Sequence, residues 1–163
     1  MTLIVLGLAL WWAAHLWKRD APEHRAGFGD PGKGLVTVLV LAGVVLMMLG
    51  FRGSAWLGLD GAEFGPLWDP PRFLIHVNNL LMLFAFYLYA ASGMKTWITG
   101  VIRHPQLTAV KTWAVAHLLV NGDLASVVLF GGLLAWAVVE VILINRAEPR
   151  PVAPAPASVG KEI

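Results

Sequence analysis

Residues 105–145 read PQLTAVKTWAVAHLLVNGDLASVVLFGGLLAWAVVEVILIN, two apolar runs on either side of Asn121-Gly122-Asp123. Each run is near the roughly 20 residues that a helix needs to cross about 30 Å of hydrocarbon. No water is available in a bilayer core, so a spanning segment must satisfy its own backbone, and helices are the default over strands. Three residues between the runs are too few for anything but an antiparallel hairpin, with Asp123 placed to cap the second helix.

Working outward, Met1–Trp17, Gly34–Phe51 and Phe73–Met94 are apolar runs of similar length, giving five with Pro105–Asn121 and Leu124–Asn145. The first lacks a basic leader and a small-residue cleavage site, so it reads as a retained helix. Apolar residues make up 58% of the 163 and charged ones 13%, far from the balance of a soluble domain. The sequence therefore predicts an all-α, polytopic membrane bundle of about five transmembrane helices, residues 1–147. A Pro/Ala-rich tail over 148–163, EPRPVAPAPASVGKEI, is expected to be disordered and cytoplasmic. Asp69-Pro70-Pro71 is expected to cap and open the third helix, and Trp56, Phe64 and Trp68 to anchor the loop before it at the interface.

With five spans, the connections alternate sides. Lys18, Arg19, Arg25, Lys33, Lys95, Arg103, Lys111, Arg146, Arg150 and Lys161 fall on one side, 10 of the 12 basic residues, and only Arg52 and Arg72 on the other. The basic-rich side is then cytoplasmic, which puts the N-terminus out and the C-terminus in. A net charge of +2 gives no reason to expect nucleic acid as a partner. Membrane lipids are the partner that composition predicts.

Ionisable and polar side chains within a membrane are costly and mark candidate sites. They are His15, His76, Asn78, Asn79, Lys111, His117 and Glu140, with Arg103 and His104 at a boundary and Asn121 and Asp123 at the turn. The absence of cysteine excludes disulfides, thiolate-ligated or thioether-attached haem, iron–sulfur clusters and Cys-rich zinc sites. A metal would have to rely on imidazole, carboxylate or backbone.

His104 and His117 lie 13 residues apart, roughly 20 Å along a helix, so they cannot bind one metal together. Equal counting from Gly122 sets Glu140 level with His104, so Arg103, His104 and Glu140 are expected to cluster near the cytoplasmic face. Lys111 lies deeper, to snorkel or meet an anionic group. His76 and His117 are matched in depth at the outer side, the simplest arrangement for a bis-histidine haem; by the same counting His15 is too far from His117. Phe84, Phe86, Tyr87 and Tyr89 are placed to line an apolar channel or to pack.

WITGVIRHPQLTAVKTWAVAHLLVNGDLASVVLFGG, residues 97–132, resembles the signature of NnrU proteins, bacterial membrane proteins linked to nitrite and nitric oxide metabolism. The same elements, with PLWDPP at 66–71 and the positions of His15 and His76, are similar to 15-cis-zeta-carotene isomerase, so the likeness covers about residues 1–145. It implies an inner-membrane location, haem b as cofactor, and nitrite or nitric oxide reductase components as partners. Carried over by position, the iron ligands fall on His15 and His117, whereas helix depth prefers His76 with His117; His117 is common to both. The isomerase's cysteine within its Trp-Cys-x-Ala-His element is Ala114 here, which removes a thiolate ligand swap. Arg103-His104-Pro105 also resembles a motif of isoprenylcysteine-type membrane methyltransferases, but the acidic and aromatic segment that completes their cofactor pocket has no counterpart after Asn145. The functions in view are haem-dependent support of nitric oxide metabolism, cis–trans isomerisation of a carotenoid or other polyene, and non-catalytic assembly of a reductase.

Overall fold

The computed structural model describes residues 1–20, 23, 27–53 and 65–148. Trp56, Phe64, Arg25 and the tail beyond Glu148, including Arg150 and Lys161, lie outside the described residues. The fold is all-α: α1 Thr2–Asp20, α2 Gly29–Arg52, α3 Leu74–Ala91, the short α4 Trp97–Val101, α5 Pro105–Val120 and α6 Leu124–Ala147. Pro31–Arg52, Leu74–Ala91 and Leu124–Ala147 are long and apolar enough to cross a membrane, and Thr2–Trp17 is a shorter apolar helix. These helices fall within a few residues of the apolar runs, as expected where each run must close its own hydrogen bonds.

The chain forms two compact units, Met1–Trp68 with Gly122–Gly132, and Asp69–Asn121 with the chain from Leu133 onward. In the first, α1 and α2 pack antiparallel along a seam of glycines. A Cβ at Gly7 would lie 2.6 Å from the Gly43 carbonyl oxygen, and one at Gly50 would lie 2.7 Å from the Ile4 nitrogen. Only hydrogen at these positions lets two helix backbones approach so closely. Ile4, Leu8, Ala14 and Met47 are buried, while Leu35, Val38, Leu41, Val45 and Met48 turn outward from α2. Such an apolar outer face suits hydrocarbon as solvent. α2 ends at Gly53, whose φ of 72° is open to glycine and whose N–H donates to the Leu49 carbonyl at 2.8 Å.

The start of α6 completes this unit. Trp12 Nε1 donates to the Gly132 carbonyl at 3.2 Å, and Phe51 meets Phe130 edge-on at 5.9 Å. Gly122 accepts N–H bonds from Leu67 at 2.6 Å and Trp68 at 3.3 Å, and a Cβ on Gly122 would overlap the Trp68 carbonyl. The loop before α3 is thereby pinned to the residues that open α6.

In the second unit α3 packs on α5. The seam of α3 carries Leu74, Asn78, Leu81, Ala85, Leu88 and Ser92, alternately four and three residues apart, and Ala85, Leu88 and Ala91 are buried. Ala109, Ala114 and Ala116 are the buried positions of α5. The start of α3 corrects the sequence reading. Asp69 and the prolines precede the helix, which begins at Leu74 after a turn in which Leu74, Ile75 and His76 donate to Pro71, Arg72 and Phe73. A residue before proline is pushed out of the helical region, and here that acts on Asp69 and Pro70 in succession.

Candidate functional site

His15 stands on α1 with Nδ1 2.8 Å from the Trp11 carbonyl and its ring 4.5 Å from the Trp11 ring, tilted by 34°. A carbonyl only accepts, so Nδ1 carries a proton, and in the neutral ring the lone pair is then on Nε2. That tautomer, fixed by a backbone carbonyl, is the one in which an imidazole ligates a metal.

His117 stands half-buried on the last turn of α5, just after Ala114 and Ala116, both fully buried. Trp113, one turn earlier, meets the His117 ring edge-on at 4.9 Å and 71°. At helical spacing of four the indole presents its edge to the imidazole. The His117 carbonyl accepts from the Asn121 backbone N–H at 3.0 Å and from Asn121 Nδ2 at 2.8 Å. Asn121 thus satisfies a helix-end carbonyl and holds the turn that carries the imidazole. His76 is exposed on the first turn of α3, and Asn78 Nδ2 donates to Asn79 Oδ1 at 3.3 Å.

At the other end of α5, His104 occupies the cap position with Nε2 3.0 Å from Asn145 Oδ1, and Arg103 Nη2 donates to the Glu148 carbonyl at 2.9 Å. The hairpin therefore closes at its far end, with Asn145, five residues beyond Glu140, opposite His104. Glu140 is buried on α6, 4% exposed, and Lys111 is half-buried on α5.

Asp123 caps α6 as expected: the Ser126 N–H donates to Oδ1 at 2.8 Å and the Ser126 hydroxyl to Oδ2 at 2.6 Å. Burial pushes this carboxyl up, but the Ser126 hydroxyl, joined by the N–H groups of Ser126, Asp123 and Ala125, outweighs it and holds the group below its ordinary range.

An apolar cavity of about 240 Å³ lies between α3 and α5, lined by Ala85, Phe86, Tyr89, Ala109, Val110 and Trp113. Of the four aromatic residues expected along an apolar channel, Phe86 and Tyr89 line it and Phe84 and Tyr87 do not; all four are exposed on α3. The alanines that make room for it carried no signal in the sequence.

The profile of a family described as NnrU protein matches residues 3–162. The chain belongs to the NnrU family. No curated protein and no solved structure matches it. Among the described residues of this NnrU protein, no group of three or more His, Asp or Glu side chains is placed to hold a metal ion. A bis-imidazole haem requires only two protein ligands, and the donor chemistry fits one: there is no cysteine, and His15 has its tautomer set for ligation by Nε2.

Proposed function

We propose that this NnrU-family chain is a five-span protein of the bacterial inner membrane, N-terminus outside, that supports nitrite and nitric oxide metabolism through a bound haem b. His117 is one iron ligand, and His15 or His76 the second. The observation that supports this most is the His15 Nδ1 contact with the Trp11 carbonyl, which orients the ring and leaves the ligating lone pair on Nε2. When bound, such a haem supplies one-electron chemistry at iron. The chain's own part is to hold imidazoles in fixed tautomers: Trp11 does this for His15, while Trp113 and Asn121 restrain the helical turn and ring of His117.

Purified protein expressed with ample haem should show a Soret band that shifts on dithionite reduction. His117→Ala should abolish or displace the band, and of His15→Ala and His76→Ala only the true second ligand should do the same. A colourless wild type overturns the haem reading.

The polyene isomerase reading draws on the apolar cavity, but Ala114 removes the thiolate option, and about 240 Å³ is below the roughly 300–1,000 Å³ of cavities that enclose whole drug-sized ligands. Co-expression with zeta-carotene precursors tests it: haem-loaded protein with an unchanged isomer ratio excludes it. If deletion abolishes reductase activity and His117→Ala restores it in full, the chain acts as an assembly partner instead.

A further inference from the structure

The cavity between α3 and α5 has a chemistry of its own, independent of any haem. Its walls present only apolar surface, supplied by Ala85, Phe86, Tyr89, Ala109, Val110 and Trp113. Apolar cavities of this order stay dry and accept hydrocarbon. At about 240 Å³ it has room for a segment of a hydrocarbon chain, not for a whole drug-sized ligand. It lies on two helices that the apolar pattern places in the bilayer, where hydrocarbon chains are the surrounding solvent.

The position along α5 adds the second half of the argument. Ala109 stands four residues from Pro105, so the cavity begins roughly 6 Å from the helix start. At that end of the same unit lie Lys95, Arg103 and Arg146, with Lys111 immediately beside Val110. The Arg103 bond to the Glu148 carbonyl ties the start of α5 to the end of α6, which carries Arg146. Against them stand the buried Glu140 and the exposed Glu148, leaving an excess of positive charge. Basic pockets between membrane helices on the cytoplasmic side favour anionic lipid headgroups.

We propose that this cavity seats one acyl chain of an anionic phospholipid, with its phosphate held at the basic end by Lys95, Lys111 and Arg146. The lipid fills the gap left by Ala85 and Ala109 and joins α3 to α5 as a structural ligand. Charge selects the headgroup, and the apolar walls select the chain.

The test uses the full chain in mild detergent with equal phosphatidylglycerol and phosphatidylcholine, read by native mass spectrometry. Wild type should retain one phosphatidylglycerol. Ala85→Leu and Ala109→Phe, which fill the cavity, should each lower retention at least tenfold while keeping the helical content of wild type by circular dichroism. Lys95→Gln with Lys111→Gln should keep a lipid but lose the preference for phosphatidylglycerol. A diazirine-bearing phosphatidylglycerol on wild type should label peptides containing residues 85–89 or 109–113, a measurement that does not depend on any variant folding. Equal retention of both lipids by wild type, undiminished retention by a folded Ala85→Leu protein, or labelling confined to other helices would overturn the proposal. So would displacement of the phospholipid by an equimolar uncharged polyene, which would mark the cavity as a polyene site.

Discussion

Replacing Gly7 by alanine puts one methyl group into the closest approach of α1 and α2. That carbon would lie 2.6 Å from the Gly43 carbonyl oxygen, 2.7 Å from Met47 Cγ and 2.8 Å from the Met47 nitrogen. Ordinary contacts of this kind fall at about 3.5–4.0 Å, so roughly 1 Å must be found. Met47 can swing its side chain away, but the Gly43 oxygen and the Met47 nitrogen are helix backbone and move only if α2 moves. A gap of about 0.5–1 Å forfeits a quarter to a half of each dispersion well along the seam, and overpacking of this type costs about 1–3 kcal/mol. Alanine's better helix propensity returns about 0.5–1 kcal/mol. Gly34 isolates that second effect, because a Cβ there meets nothing within 4 Å. Thermal unfolding in detergent, followed by circular dichroism, should place Gly7→Ala below wild type and Gly34→Ala slightly above it, at roughly 2–4 °C per kcal/mol. A Gly7→Ala protein as stable as Gly34→Ala would refute the argument that the seam depends on glycine.

Asp123→Ala removes the acceptor for two Ser126 bonds and should cost about 0.5–2 kcal/mol, read as a lower melting temperature. Because the folded carboxyl titrates below its unfolded value of about 3.9, its contribution is complete above that value and is lost as pH falls through the lower folded value. Acid unfolding curves below about pH 4 should therefore be shallower for Asp123→Asn than for wild type. A double-mutant cycle on His104→Ala and Asn145→Ala should give a coupling of about 0.5–1.5 kcal/mol; additive losses would show that the 3.0 Å contact contributes nothing.

The helices were legible in the sequence because a membrane leaves the backbone one economical solution, and Gly122 with Asp123 marked the hairpin by turn and cap chemistry. The opening of α3 was less so: Asp69-Pro70-Pro71 resembles a helix start, yet consecutive prolines keep the chain out of the helix until Leu74. α4 went unread, although Thr96 and Thr99 follow the spacing of a capping box and the Thr96 N–H does donate to Thr99 Oγ1 at 3.1 Å. Among candidate residues, His104 lies at the hairpin's far end as the helix count expects, and its bond there goes to Asn145. The glycine seam and the alanine-floored cavity depend on which faces meet, and periodicity within single segments does not report that.

One consequence of the two-part division concerns the order in which the chain is made. The first unit is not contiguous: α1 and α2 emerge early, but Gly122, whose carbonyl receives the Leu67 and Trp68 amides, and Gly132, which receives the Trp12 indole, are synthesised only after the residues of α3, α4 and α5. During translation the early helix pair therefore precedes the Gly132 carbonyl that its Trp12 indole meets in the folded chain. A membrane insertase or a neighbouring lipid has that interval in which to hold Trp12, and a chain released at residue 121 would never end it.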